Sequence, residues 1–482
     1  MRVLDQLEPK RVFSFFEDLC AIPHGSGNTK AISDYCVKFA QERGLEVHQD
    51  SLNNVVIVKP ATPGYEAAPT VIVQGHLDMV TEKTPESTIN FLTDGLELTV
   101  DGDFVRAKGT TLGGDDGIAV AMALAVLDSD DLAHPRLECL FTVDEETGMD
   151  GAVGFDASVL EGKRLLNIDS EEEGILTVSC AGGAHAAAHI EMHANECALD
   201  SAEIKISGLK GGHSGAEIDK GRANATITLG RVLQALVDEL EVRLVSAEGG
   251  LKDNAIPNAA RAVIALEDGK LPRAQEICAE LQDTFRREYA AADPDVTVTF
   301  TPGTVASQAL TLRDTKKVCC FLGLYPNGIE SMSMDIPGLV QTSCNLGIFK
   351  VDETGLTGSG SVRSSIASRK QLLLRRIGLL AEGLDGTLCV SGEYPAWEYR
   401  RESHLRDVMC KVYKDQYGQD MKVEAIHAGL ECGLFCGKIP GLDAVSFGPN
   451  LYDIHTVKEH MSISSVQRVY AYLCAVLQAL KD

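Results

Sequence analysis

Apolar and β-branched residues along this chain gather into short continuous runs that stop abruptly at acids or histidines. VIVQG at 71–75 gives way to His76 and Asp78, LECLFTV at 137–143 to Glu145 and Glu146, and LLNI at 165–168 to Asp169. A short apolar run closed by polar residues predicts a strand buried on both faces, as in a parallel sheet. The polar group ending each run then stands where strand meets loop, the place where α/β enzymes put their chemistry. LGGDDG at 112–117 sets Asp115 and Asp116 ahead of an alanine-rich helix at 117–127, and acids suit a helix N-terminus.

Around these runs the periodicity predicts helices at 8–20 and 29–43 and strands at 54–59, 70–75, 137–143 and 165–168, an alternation that reads as an α/β sheet domain. The small-residue stretch AGGAHA at 181–186 breaks that pattern. From there to 396 the texture changes to amphipathic strands, such as AEIKISGL, ARAVIALE and VTVTFTP, with helices near 219–240, 272–290, 307–323 and 368–383. That is the pattern of an α+β layer. After 397 come a helix, the apolar strand DAVSFG and a last helix at 463–480, which should complete the first sheet. The expectation is a two-domain protein: an α/β catalytic domain from 1–183 plus 397–482, and an inserted α+β lid at 184–396.

Composition narrows the class. With 482 residues, 44% of them hydrophobic, the chain is long enough for two full cores. It has no uninterrupted apolar run of about 18 residues, and its charged N-terminus lacks the apolar core of a signal peptide, so a cytoplasmic protein that does not cross a membrane is expected. A formal charge of −26 argues against nucleic acid as a partner, because phosphate binding needs a basic surface. Fourteen cysteines without a CxxC pair read as reduced core thiols.

The acids at the strand ends raise a physical problem. Buried together, Asp78, Asp115, Asp116, Glu145, Glu146 and Asp169 would be desolvated and mutually repelling unless cations neutralise them. A pair of divalent metals with His76 as a further ligand is the economical answer. The late segment SFGPNLYDIHTVKEH at 446–460 offers His455, with His460 as a rival.

These motifs in this order, together with GLKGGHSGAEIDKGRANA at 208–225, resemble the M20 metallopeptidases, and among them the aminoacyl-histidine dipeptidase branch. The resemblance spans the whole chain and implies a zinc-peptidase-like fold. It also implies two zincs, replaceable by manganese or cobalt, with Asp115 bridging, His76 and Asp169 on one metal, and Glu146 and His455 on the other. Two dications then balance three carboxylates and a hydroxide, and imidazole with carboxylate is a donor set that leaves a position open for water. Which of the adjacent glutamates ligates and which is the general base rests on the resemblance, which assigns Glu145 as base. It also implies a cis Asp115–Asp116 peptide. Asp78, two residues from His76 in an extended segment, projects to the same side and suits a group that orients the imidazole.

For the inserted domain the resemblance implies that His213 contacts substrate and helps stabilise the oxyanion. Asn254, Asn345 and Arg363 are candidates for binding the substrate backbone and its C-terminal carboxylate, which the planar fork of Arg suits. Glu431, in HAGLECG, is a loop candidate facing the site. The expected activity is hydrolysis of unblocked dipeptides, including those ending in histidine, by a homodimer joined through the lid. The same chemistry on N-acyl amino acids is the alternative. A non-catalytic binding protein is disfavoured because Glu145 and all five ligands are present.

Overall fold

Strand Val71–His76 is buried at all six positions, and so is Leu137–Thr142 beside it. They pair in parallel, Arg164–Asn167 pairs in parallel on the other side of Val71–His76, and Asp443–Ser446 continues the parallel run. Apolar continuity is what a strand covered on both faces requires. These four form the centre of an eight-stranded sheet, flanked by Glu46–Gln49 and Val55–Lys59 at one edge and by Ile175–Cys180 and Lys422–Ile426 at the other. The computed structural model describes residues 2–352 and 354–481.

By contacts the chain divides into two compact units. The first comprises Met1–Ser179, Tyr399–Ala425 and Leu430–Asp482; the second comprises Cys180–Glu398 with Ile426–Gly429. The fold is the α/β architecture with an inserted α+β unit that the hydrophobic pattern anticipates. Assignment of 426–429 to the inserted unit had no counterpart in the sequence reading.

In the first unit, helix Gly114–Leu127 is buried along its whole length and lies against strand Val71–His76. Gly75 permits the approach: a Cβ there would stand 2.6 Å from Asp116 Oδ2 and 2.8 Å from the Ala119 Cβ. A small four-stranded sheet joins Leu98–Asp101 and Phe104–Ala107 to Leu451–Tyr452 and His460–Ser462. The loop between the last two carries His455 at φ 60°, a left-handed conformation uncommon outside glycine.

The second unit is built on a ten-stranded sheet. Alternate strand residues, among them Ala186, Ala188, Ile204, Ile206, Ala262 and Ile264, share one core with helices Ala225–Glu239, Leu271–Glu288, Leu312–Leu324 and Ala367–Gly383. Three local expectations shift. The helix expected from 219 begins at Ala225, because Asn224 caps it by accepting from Thr226 and Ile227 N–H. The helix expected from 307 begins at Leu312 behind a Thr311 cap, and Ala306–Leu310 is a strand paired with Ala194–Ser207. AGGAHA is largely strand, within Gly182–Ile190; its glycines make room for close neighbours, since a Cβ at Gly183 would lie 2.5 Å from the Tyr394 hydroxyl oxygen. None of the fourteen cysteines is in a disulfide. Among the described residues no helix is long and apolar enough to cross a membrane.

Candidate metal and catalytic site

The C-terminal ends of the parallel strands carry the expected groups to one place. His76 closes its strand, Glu145 and Glu146 follow Leu137–Thr142 by a tight turn, and Asp169 follows Arg164–Asn167. Asp115 stands between two imidazoles. Its Oδ1 lies 3.2 Å from His76 Nε2 and its Oδ2 lies 3.1 Å from His455 Nε2. His455 Nε2 is also 3.0 Å from Glu146 Oε2, and His76 Nε2 is 3.8 Å from Asp169 Oδ1. The peptide between Asp115 and Asp116 is cis. His460 is elsewhere: its Nδ1 meets Lys458 O at 2.9 Å and its ring stacks on Tyr452.

Asp78 acts on this cluster in a way its spacing from His76 did not reveal. The nearer partner of His76 Nδ1 is the Asp78 backbone carbonyl at 3.0 Å, with the carboxylate at 3.6 Å. The carboxylate instead accepts from Ser26 Oγ at 2.7 Å and from the backbone N–H of Glu145 at 3.0 Å and Glu146 at 3.4 Å. One residue thereby orients the imidazole and fixes the turn that presents both glutamates.

The electrostatics test whether cations fit. Among the described residues no lysine or arginine pairs with Asp115, Glu146 or Asp169; their only positive partners are His76 and His455. Burial, reinforced by neighbouring acids, pushes Asp169 and Asp116 well above the usual carboxylate range and Glu145 up to about 7. Hydrogen bonds to Asp115 and Glu146 raise His455 to about 10. Burial opposes ionisation of Asp115, yet the two histidines hold it below the ordinary value. Glu146 Oε1 is buried with no partner. Such a cluster is stressed without counter-charge and relieved by it. Three ligand groups with atoms within 4.8 Å of one another emerge: His76 with Asp116 and Asp169, His76 with Glu145 and Glu146, and Asp115 with Glu146 and His455.

Two of the expected acids turn out to have contacts that spacing does not show. Asp116, expected in the buried cluster, accepts the His76 backbone N–H on its Oδ2 at 3.1 Å. Glu431 opens helix Glu431–Lys438 and is fully buried; its Oε2 accepts from Gln74 Nε2 at 2.6 Å and Thr142 Oγ1 at 2.8 Å. Burial pushes Glu431 up to about 8. Glu431 thus starts a helix rather than lying within a loop, and it is held by side chains of strands Val71–His76 and Leu137–Thr142.

In the second unit His213, Arg363 and His427 converge on Gly215, where a Cβ would stand 3.0 Å from His213 Cε1, 3.2 Å from Arg363 Nε and 2.8 Å from His427 O. His213 Nδ1 accepts from Gly215 and Ala216 N–H at 3.2 and 3.0 Å. Burial and Arg363 lower its pKa, so the ring is neutral with its proton on Nε2. Arg363 donates to the Tyr394 hydroxyl at 2.9 Å, and Ser343 and His427 Nε2 are 2.7 Å apart; no local motif points to Tyr394, Ser343 or His427. Asn254 is half-buried next to this region, its carbonyl accepting from Ser214 N–H at 2.9 Å. Asn345 departs from the expectation of a substrate contact. Its Nδ2 donates to Asp253 O and Ala255 O, and its Oδ1 accepts from Asn224, so its amide is spent bracing the segment that carries Asn254.

A two-histidine, multi-carboxylate cluster at the strand ends of an α/β sheet defines a metallohydrolase site, and the comparisons say of which kind. The description of peptidase family M20/M25/M40 matches residues 72–479, and the chain belongs to that family, hydrolases of peptide bonds. It is 34% identical over 482 residues to the cytosol non-specific dipeptidase of Escherichia coli K12, covering 100% of this chain and 99% of that protein. The crystal structure of aminoacylhistidine dipeptidase from Vibrio alginolyticus superposes with a TM-score of 0.94 at 36% identity, covering 99% of this chain and 98% of that one. An aminopeptidase from Bacillus cereus shares the fold at a TM-score of 0.56 and 15% identity over 99% of this chain and 100% of that chain.

Proposed function

We propose that this protein is a di-metal dipeptidase that hydrolyses unblocked dipeptides with broad side-chain tolerance, including those ending in histidine. The observation that carries the reading is Asp115, whose two carboxylate oxygens each face a different histidine. His76, Asp115 and Asp169 would hold one cation, and Asp115, Glu146 and His455 the other. Zinc, or manganese or cobalt in its place, would supply Lewis acidity and make water acidic enough to attack at neutral pH.

The chain's own residues do the rest. Glu145, beside the ligand Glu146 and held by Asp78 through its backbone N–H, takes the proton of the attacking water and returns it to the leaving amine. In the second unit, His213 offers an Nε2–H donor to developing oxyanion charge, and Arg363 offers a guanidinium to a terminal carboxylate. The names of the E. coli and Vibrio relatives support a dipeptide substrate.

The test is a panel of free, N-acetylated and C-amidated dipeptides assayed with added zinc, manganese and cobalt. Free dipeptides should be turned over best. Amidation should cost about 2 kcal/mol in kcat/KM, the scale of a charge-assisted hydrogen bond, and Arg363→Ala should add little to that loss because both remove one interaction. Preferential hydrolysis of N-acetyl substrates would replace this reading with an amidohydrolase of N-acyl amino acids.

A further inference from the structure

Glu459 lies in the same loop as His455 and is 3% exposed. Its carboxylate accepts from four consecutive backbone N–H groups: Leu112 at 2.8 Å and Gly113 at 3.2 Å on Oε2, and Gly114 at 2.9 Å and Asp115 at 3.4 Å on Oε1. Helix Gly114–Leu127 receives no side-chain cap from its own N-cap residue, Gly113. The backbone is non-helical at Asp115 and Asp116, and the N–H groups of this irregular entry are answered by a carboxylate more than 340 residues away in sequence. Among the described residues Glu459 has no lysine or arginine partner, so those four amides compensate its buried charge. Gly113 stands at φ 66°, and a Cβ at Gly114 would lie 3.3 Å from Glu459 Oε1; small residues here let the carboxylate come close.

A carboxylate used only to satisfy these amides could come from anywhere. This one comes from the loop that carries His455 and reaches the backbone of Asp115, so it ties together two of the three residues that would hold the second cation. We propose that Glu459 is a positioning residue for the two-cation site. By clamping 112–115 to the loop of His455 it holds the Asp115 carboxylate between the two imidazoles. The proposal rests on the di-metal reading above.

The test is zinc titration of metal-free protein against a chromophoric chelator, run on wild type, Glu459→Gln and Glu459→Asp, with kcat, KM and the melting temperature of the metal-free form. The glutamine keeps the size of the side chain but puts an NH2 against two of the donors. Its zinc affinity should fall about 10- to 100-fold, the usual effect of losing a group that orients ligands. KM should be unchanged, while kcat should fall at limiting zinc and recover in excess. The aspartate should lie between. Wild-type zinc affinity in Glu459→Gln, or a lower melting temperature with zinc affinity unchanged, would overturn the proposal and leave Glu459 a brace for the backbone at 112–115 alone. Wild type that binds no metal would sink the di-metal reading itself, a distinct result. Should Glu459→Gln fail to fold, Glu459→Asp carries the test: the shorter side chain keeps the charge but cannot reach all four N–H groups, so its zinc affinity should fall, and unchanged affinity there also overturns the proposal.

Discussion

Glu145 and Glu146 are adjacent in sequence and unlike in surroundings. Glu146 has one oxygen 3.0 Å from His455 Nε2 and the other buried with no partner, the posture of a ligand. Glu145 is pushed up to about 7 by burial; a cation held beside it would draw that value down toward the carboxylate form that accepts a proton. The pair therefore separates by experiment. Glu145→Ala should keep two metals per chain and lose at least about 100-fold in kcat, the contribution of a general base, whereas Glu146→Ala should lose metal. Metal analysis of the purified variants beside their kinetics checks this, and the reverse pattern would exchange the two roles. The late histidine follows the same logic: His455 reaches Asp115 and Glu146, while His460 is occupied with Lys458 O and Tyr452.

At the scale of elements, the site depends on how closely helix Gly114–Leu127 lies on strand Val71–His76. Gly75→Ala would press a methyl against Asp116 Oδ2 and Ala119, so unfolding in urea should show a loss of about 1 to 3 kcal/mol, as overpacking usually does. Because Asp116 also accepts the His76 N–H, metal affinity should fall with it; a fully stable Gly75→Ala with unchanged metal binding would refute this packing argument. The strands that build the site were legible because burial on both faces leaves an unbroken apolar run, and the acids ending those runs marked themselves by breaking it. What escaped was set by partners far along the chain. No local pattern says that Glu459 binds the backbone amides at 112–115, that Asn345 is consumed by Asp253 and Ala255, or that Tyr394 and His427 flank Arg363. Asp78 was found, but an extended spacing could not show that its carbonyl, rather than its carboxylate, is the nearer partner of His76. The strand Ala306–Leu310 was read as helix because five residues carry too little periodicity to outweigh the helix that follows.

For the whole molecule, acid should act on the second unit as well as on the histidine and carboxylate cluster of the first. His427 is 8% exposed and its pKa is lowered to about 4, by burial first and by Arg363 second. The unfolded chain takes up this proton near pH 6.5 and the folded one only near 4, so stability is whole above pH 6.5 and declines as pH falls toward 4. By pH 4.5 the loss should reach about 2 kcal/mol. Denaturation at pH 7 and 4.5 should show a shallower decline in His427→Gln than in wild type; equal slopes would remove His427 as the cause. The sheet order has a different consequence, in the time course of synthesis. Strand Asp443–Ser446 pairs with Arg164–Asn167 on one side and meets Ile175–Cys180 on the other. On the ribosome, one edge of Arg164–Asn167 therefore waits for a partner made some 280 residues later, on the order of tens of seconds at ordinary elongation rates. His455 arrives later still. A nascent or prematurely terminated chain can have a finished inserted unit and still lack both the central strand and the late histidine that faces Asp115, so a peptidase of this design stays inert until synthesis has passed the loop of His455.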